Sequence, residues 1–327
     1  MNYLIGGNGY IGNVVNNYFK RQGLDTCVID SNLYNLDYLN NDYPEIDLRN
    51  FDKLDKLNFN NSNIILLAGL VGDPITKKYP ELSSEININS TKKLIKYIKA
   101  KNINKFIFIS TCSNYGLQKN DDLVDEETEL DPKSLYAKAK VEIEKYIFET
   151  NLDYTVLRFA TAFGHSQRMR FDLTLNEFTA KLFLDYNLEI YDSETWRPYC
   201  HVVDFARAIF NVIYENPKNS SKQVFNIGSN ENNITKKDLV KKIHKKVNKG
   251  RYSFIEKSID PRNYKVNFNK SERELGFKTA FNIDYGINEI VENLKQEAYS
   301  LSELEDSFLN YGNFKIDSDK HLNYLNN

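Results

Sequence analysis

Cysteine is scarce: the chain has three, Cys27, Cys112 and Cys200, far apart from one another. That excludes a disulfide framework and gives no metal-ligand spacing, so no metal site is expected. Isolated thiols fit a reducing compartment, and the cytoplasm is the expected location. Long apolar runs are absent as well. No stretch approaches the ~18 residues that span a bilayer, and the first strand starts so early that it leaves no room for a signal peptide. No sign of charge prevails: 43 basic and 45 acidic residues give a formal net charge of -2. This balance offers no general attraction for nucleic acid or an anionic membrane. No internal repeat is visible. What is present is 327 residues, 41% of them hydrophobic. That is enough for a real core, in two compact units or in one large α/β domain with an appended part.

The first half alternates strand and helix. Thr26–Ile29, Asn63–Ala68, Phe106–Ile109 and Tyr154–Phe159 read as strands, and Asn63–Ala68 and Phe106–Ile109 are apolar enough to be buried on both faces. Helical spacing fills Glu85–Ala100, and Ser134–Glu149 reads as a helix capped by Ser134. Strands separated by helices predict a parallel, doubly wound sheet. After Gly164 the rhythm changes. A polar, basic stretch (His165–Asp172) precedes a helix near 173–184. Strand-like segments at Leu188–Tyr191 and Gln223–Gly228 follow, with helices near 204–215, 235–247 and 284–298. The expected organisation is a nucleotide-binding domain over 1–164 and a substrate-binding part over 165–300. Segments at about 188–228 are expected to return to the main sheet, and a polar tail covers 301–327.

The stretch YLIGGNGYIG, Tyr3 to Gly12, reads as strand, tight turn and helix. Its glycines fit Gly7-x-Gly9-x-x-Gly12 and equally Gly6-x-x-Gly9-x-x-Gly12. One glycine permits the turn, one lets the backbone approach a pyrophosphate, and the last lets the helix pack close. Phosphates then rest on the helix N-terminus. Asp30 closes the second strand, about 20 residues beyond the loop, where a carboxylate accepts hydrogen bonds from the adenosine ribose. It would repel a 2′-phosphate, and the residues after it, Ser31 to Asn35, contain no Lys or Arg. NAD is therefore expected over NADP. Asp47 is either an adenine contact or an exposed loop acid.

Tyr136 and Lys140 stand four apart on one helix face. A phenol with an ordinary pKa of about 10 is a poor base at neutral pH. A neighbouring ammonium stabilises the phenolate and makes it usable for an alcohol proton. Read alone, the pair is better explained as a surface lysine beside a half-buried tyrosine. The Ser110–Gly116 loop follows a buried strand at its carboxyl end, where ligands of such sheets bind. There Thr111 or Ser110 could hydrogen-bond a reacting oxygen.

Together GGNGYIG, VIDSNL, LLAGLVGDP, STCSNYG, LYAKAK, LRFATAFG and WRPYCHVVDFARA resemble an extended short-chain dehydrogenase/reductase of the NAD-dependent nucleotide-sugar epimerase/dehydratase family. The likeness covers roughly residues 1–210, and the DPRNY segment near 260 extends it. It implies a Rossmann-type fold and a catalytic trio of Thr111, Tyr136 and Lys140. It implies NAD contacts from Gly6, Gly9, Tyr10, Ile11, Gly12, Asp30, Asp47, Ala68, Asn87, Tyr136 and Lys140. Thr111, Asn176, Arg197 and Arg262 would meet a nucleotide-sugar substrate, and similar enzymes are homodimers built on the helices at 85–100 and around Tyr136. The expected reaction is epimerisation by transient oxidation at C4 of the sugar, with surface-polysaccharide precursors as the family's usual product. A sugar-nucleotide 4-dehydrogenase or 4-reductase is the alternative, because SQRMRFDLTLNEFT resembles a subgroup that includes GDP-heptose 4-dehydrogenases. The family's 4,6-dehydratases carry Asp-Glu after the catalytic Thr, the pair that eliminates water. Here Cys112 and Ser113 stand there, which ranks dehydration lower. A non-catalytic dinucleotide-binding protein ranks lower still.

Overall fold

The computed structural model describes residues 1–32, 44–118, 123–256 and 262–299. In chain order its elements are β1 (Asn2–Ile5), α1 (Tyr10–Arg21), β2 (Thr26–Ile29), β3 (Asn63–Leu66), α2 (Asp73–Lys78), α3 (Pro80–Ser84), α4 (Thr91–Lys99), β4 (Lys105–Thr111), β5 (Leu123–Val124), α5 (Leu135–Phe148), β6 (Tyr154–Phe159) and β7 (Thr161–Phe163). There follow α6 (Thr174–Phe183), β8 (Asn187–Tyr191), β9 (Trp196–His201), α7 (Val202–Phe210), β10 (Gln223–Ile227), β11 (Asn233–Thr235), α8 (Lys236–Val247), β12 (Arg251–Ile255), β13 (Lys265–Val266), α9 (Asn269–Leu275) and α10 (Ile283–Lys295). The tail from residue 300 and the stretch 33–43, which holds part of SNLYN, lie outside the described residues.

Six strands pair in the order β10-β6-β4-β3-β1-β2, every pair parallel. The apolar runs dictate this arrangement, because both faces of each strand are covered. Leu4, Ile65 and Ile107 point to one side, into a core completed by Val15 and Phe19 of α1 and Phe205 of α7. Tyr3, Ile5, Ile64, Leu66, Phe106 and Phe108 point to the other, against Leu94, Ile95 and Ile98 of α4 and Ile143 and Ile147 of α5. Alternation along each strand thus separates two cores across one sheet. The strand order reverses between β1 and β3, so a crevice opens at the strands' carboxyl ends there.

The helix expected over 85–100 begins earlier, at Pro80, and a π-helical turn at Glu85–Ser90 joins α3 to α4. Ser134 caps α5 by accepting from Ala137 N at 3.2 Å. Within 188–228, only Gln223–Ile227 joins the six-stranded sheet; β8 pairs with β12, and β9 lies between β7 and β11. In the later part α6 packs on both α8 and α10. Glu289 on α10 fixes the segment after β7. Its Oε2 accepts from His165 N at 2.7 Å and pairs with His201 Nε2 at 2.9 Å.

Candidate active site

A cavity of about 300 Å³ occupies the crevice at the carboxyl ends of β1, β2, β3, β4 and β6. Its floor is the glycine turn. Gly6 has φ +87°, which an L side chain rarely adopts, and a Cβ there would lie 2.4 Å from Ala68 N. A Cβ on Gly12 would lie 2.4 Å from Gly6 O and 2.6 Å from Gly7 Cα. The start of α1 therefore sits directly on the turn, with its N-terminal amides at the cavity. Gly9, Tyr10, Ile11 and Ala68 also line it.

Asp30 lies at one end. Its carboxylate accepts from Asn8 N and Asn32 N, each at 3.0 Å. Burial raises this carboxyl above its ordinary value, opposed by those amides and by the charge of Arg168. Asp47 lines the same end, and its carboxylate is gripped by Arg49, with Nη2 to Oδ2 at 2.6 Å.

Thr111, Tyr136 and Lys140 stand at the other end. Thr111 Oγ1 accepts from Ser113 N at 3.1 Å, which leaves its O–H to donate. Lys140 Nζ donates to Ile109 O at 2.7 Å and lies 5.7 Å from the centre of the Tyr136 ring. Burial lowers this ammonium to about 8, against the opposing pull of Glu144. Burial raises the Tyr136 phenol; the Arg170 charge lowers it, while Asp73 and Tyr264 raise it further.

Three predicted contacts stand outside the cavity lining. Asn87 works from behind it. Its Oδ1 accepts from Leu70 N at 2.8 Å and its Nδ2 donates to Leu70 O at 3.0 Å, holding the loop that does line it. Asn176, fully buried, accepts from Gly164 N at 3.1 Å and donates to Arg170 O at 2.9 Å. Arg197 donates to Trp196 O at 2.6 Å and Arg262 O at 2.7 Å, and stacks on Tyr264. Arg262 does line the cavity, paired with Asp73 at 2.8 Å. Cys112 turns away: it is buried in the core and its thiol bonds to Arg158 O at 3.2 Å. Ser113 faces the cavity instead, its hydroxyl 3.2 Å from that of Tyr264, which lines it too. Sequence reasoning missed that pair. The DPRNY segment pointed to Tyr264, two residues after Arg262, though not to its pairing with Ser113.

An open parallel sheet whose glycine turn and β2 acid share one crevice is a dinucleotide-binding fold of the Rossmann type. Residues 3–228 match the NAD dependent epimerase/dehydratase family, and the chain belongs to that family. Its cofactor is NAD, which the residues fit: the turn is too tight for a side chain at Gly12, the helix amides would meet the phosphates and Asp30 would meet the ribose hydroxyls. The chain is 26% identical over 259 residues to the UDP-glucose 4-epimerase of Rhizobium leguminosarum bv. trifolii, covering 72% of this chain and 79% of that protein. It is 25% identical over 276 residues to Protein CapI of Staphylococcus aureus, covering 76% and 81%. In fold it is similar to the UDP-glucose 4-epimerase of Thermotoga maritima, solved with UDP-glucose, at a TM-score of 0.80 and 24% identity, over 91% of this chain and 100% of that one. Among the described residues no helix is long and apolar enough to cross a membrane.

The crowding at Gly12 predicts a binding defect. Gly12→Ala must push the turn away from the helix, so NAD affinity is expected to fall by at least about tenfold, or roughly 1.4 kcal/mol. Equilibrium binding to the folded variant measures this; unchanged affinity would show that the turn has slack.

Proposed function

We propose that the protein is a nucleotide-sugar 4-epimerase. The observation that carries this reading is the company Tyr136 keeps: Thr111 and Lys140 share its cavity, while Cys112, where an elimination acid would stand, faces the core. Tyr136 takes the proton of the sugar's 4-hydroxyl and later returns it. The Thr111 O–H holds the 4-oxygen through both steps, and Lys140 keeps a positive charge beside the phenol ring. NAD, when bound, supplies a hydride acceptor at C4 that is regenerated within one turnover. Inversion requires the opposite face of C4 to be reduced, so the 4-keto sugar turns between the steps. Arg262 offers its guanidinium to the nucleotide's diphosphate. Elimination of water would need an acid and a base at C5 and C6. Ser113 and Tyr264 furnish hydroxyls on that wall rather than a carboxyl pair.

Incubation with UDP- and GDP-linked hexoses tests the reading. The expected product has inverted configuration at C4 by proton NMR, with no accumulation of NADH. NADH formed in step with product, or a need for a second oxidant, would replace epimerisation with dehydrogenation.

A further inference from the structure

We propose that Arg168 is a cofactor-binding residue that meets the diphosphate of NAD beside the glycine turn. The inference deepens the assignment of NAD to this cavity and rests on it. Arg168 lines the cavity yet is only 4% exposed. Arg170 lines it as well, and Met169 between them is buried in the core, so the two guanidiniums are presented to the same side.

The segment is fastened to the start of α1. Tyr10 OH donates to Gly164 O at 2.6 Å, and Ser166 Oγ donates back to Tyr10 O at 2.8 Å. Arg168 therefore follows, by two residues, an anchor on the first residue of the phosphate-facing helix. The field of Arg168 reaches Asp30, and that of Arg170 reaches Tyr136. With Arg170 Nη2 3.4 Å from Val71 O, two residues before Asp73, and both arginines in the lining, the segment runs along the cavity between these ends. In a dinucleotide the diphosphate lies between the two nucleosides, which is the span this segment runs along. Arg170 is held by Asp172 at 2.5 Å and Arg262 by Asp73 at 2.8 Å, both on the Tyr136 side, where Asp73 also acts on the phenol. Arg168 is the guanidinium on the Asp30 side. The glycine stretch from Gly6 to Gly12 has no Lys or Arg. Helix amides therefore meet the diphosphate without a cation of their own, and a planar, five-donor cation on the cavity wall supplies one.

Arg168 could instead act only through Asp30, as its counter-charge, and ligand choice separates the two roles. Nucleotide-free protein, Arg168→Met and Arg168→Lys are titrated with NAD, ADP and adenosine, and apo melting curves check the fold. Arg168→Met is expected to weaken NAD and ADP by about ten- to hundredfold, the loss of a charge-assisted hydrogen bond, and to leave adenosine unchanged. Arg168→Lys keeps the charge without the fork; it should lose less in the same order, and it carries the test if the Met variant does not fold. Equal weakening of adenosine and ADP would overturn the proposal in favour of an effect through Asp30, and so would undiminished ADP binding. Failure of the unsubstituted protein to bind NAD would count against the cofactor assignment itself.

Discussion

Tyr136→Phe is expected to lower sugar turnover by about a hundred- to ten-thousandfold, the usual worth of a positioned general acid–base, while NAD still binds. The substitution keeps the ring, and so the packing of α5, and removes only the hydroxyl proposed to exchange the proton. The size follows from the surroundings. Burial holds the phenol protonated, and the described charges that favour its anion are cationic groups around the cavity: Arg170 lowers it, and Lys140 lies 5.7 Å from the ring centre. No other described cavity residue brings a phenol to this end except Tyr264, whose hydroxyl is engaged with Ser113 at 3.2 Å. Steady-state kcat on the preferred sugar nucleotide reads the effect, with bound NAD per protomer as the control. Undiminished kcat would remove Tyr136 from the chemistry. A variant that lost NAD as well would show that the phenol's main task is binding.

Local signals made much of this legible in the sequence. Thr26–Ile29 and Tyr154–Phe159 are strands at their expected limits, because short runs rich in β-branched, aromatic and aliphatic residues favour a buried strand. Ser134 caps α5 because a hydroxyl before an apolar helix satisfies an otherwise orphan amide. The direction of side chains was less legible. Asn87, Asn176 and Arg197 have residue types that suit ligand contact, yet each bonds backbone groups from outside the cavity lining. The backbone amides of Leu70 and Gly164 needed partners more than the cavity needed another side chain. Cys112 and Ser113 are neighbours in sequence, and the short helical turn that Thr111 caps sends them to opposite sides. Tyr264, 151 residues from Ser113, is brought there by the later part of the chain, and no local pattern encodes that pairing.

Arg158→Met should cost about 3–5 kcal/mol of stability, because it strands a buried carboxylate. Glu144 is fully buried one helical turn beyond Lys140, and Arg158 Nη2 meets its Oε2 at 2.7 Å. Asn114 Nδ2 donates to the same carboxylate at 2.9 Å, and the Ser110 hydroxyl donates to it as well. Arg158 also donates to Tyr115 OH at 3.1 Å, which in turn donates to Asn226 Oδ1 on β10 at 2.8 Å. The network therefore ties α5, which carries Tyr136 and Lys140, to the end of β4, where Thr111 stands, and to β6 and β10. Methionine fills most of the arginine's volume, so the expected loss comes from uncompensated charge more than from a cavity. It is read as an earlier urea midpoint at unchanged slope. Glu144→Met with Arg158→Met removes both charges, and most of the stability should return, since paired buried ions contribute little over apolar groups of similar size. If the double variant is as unstable as the single one, packing around Tyr115 and Asn114, and not charge pairing, holds α5 to the sheet.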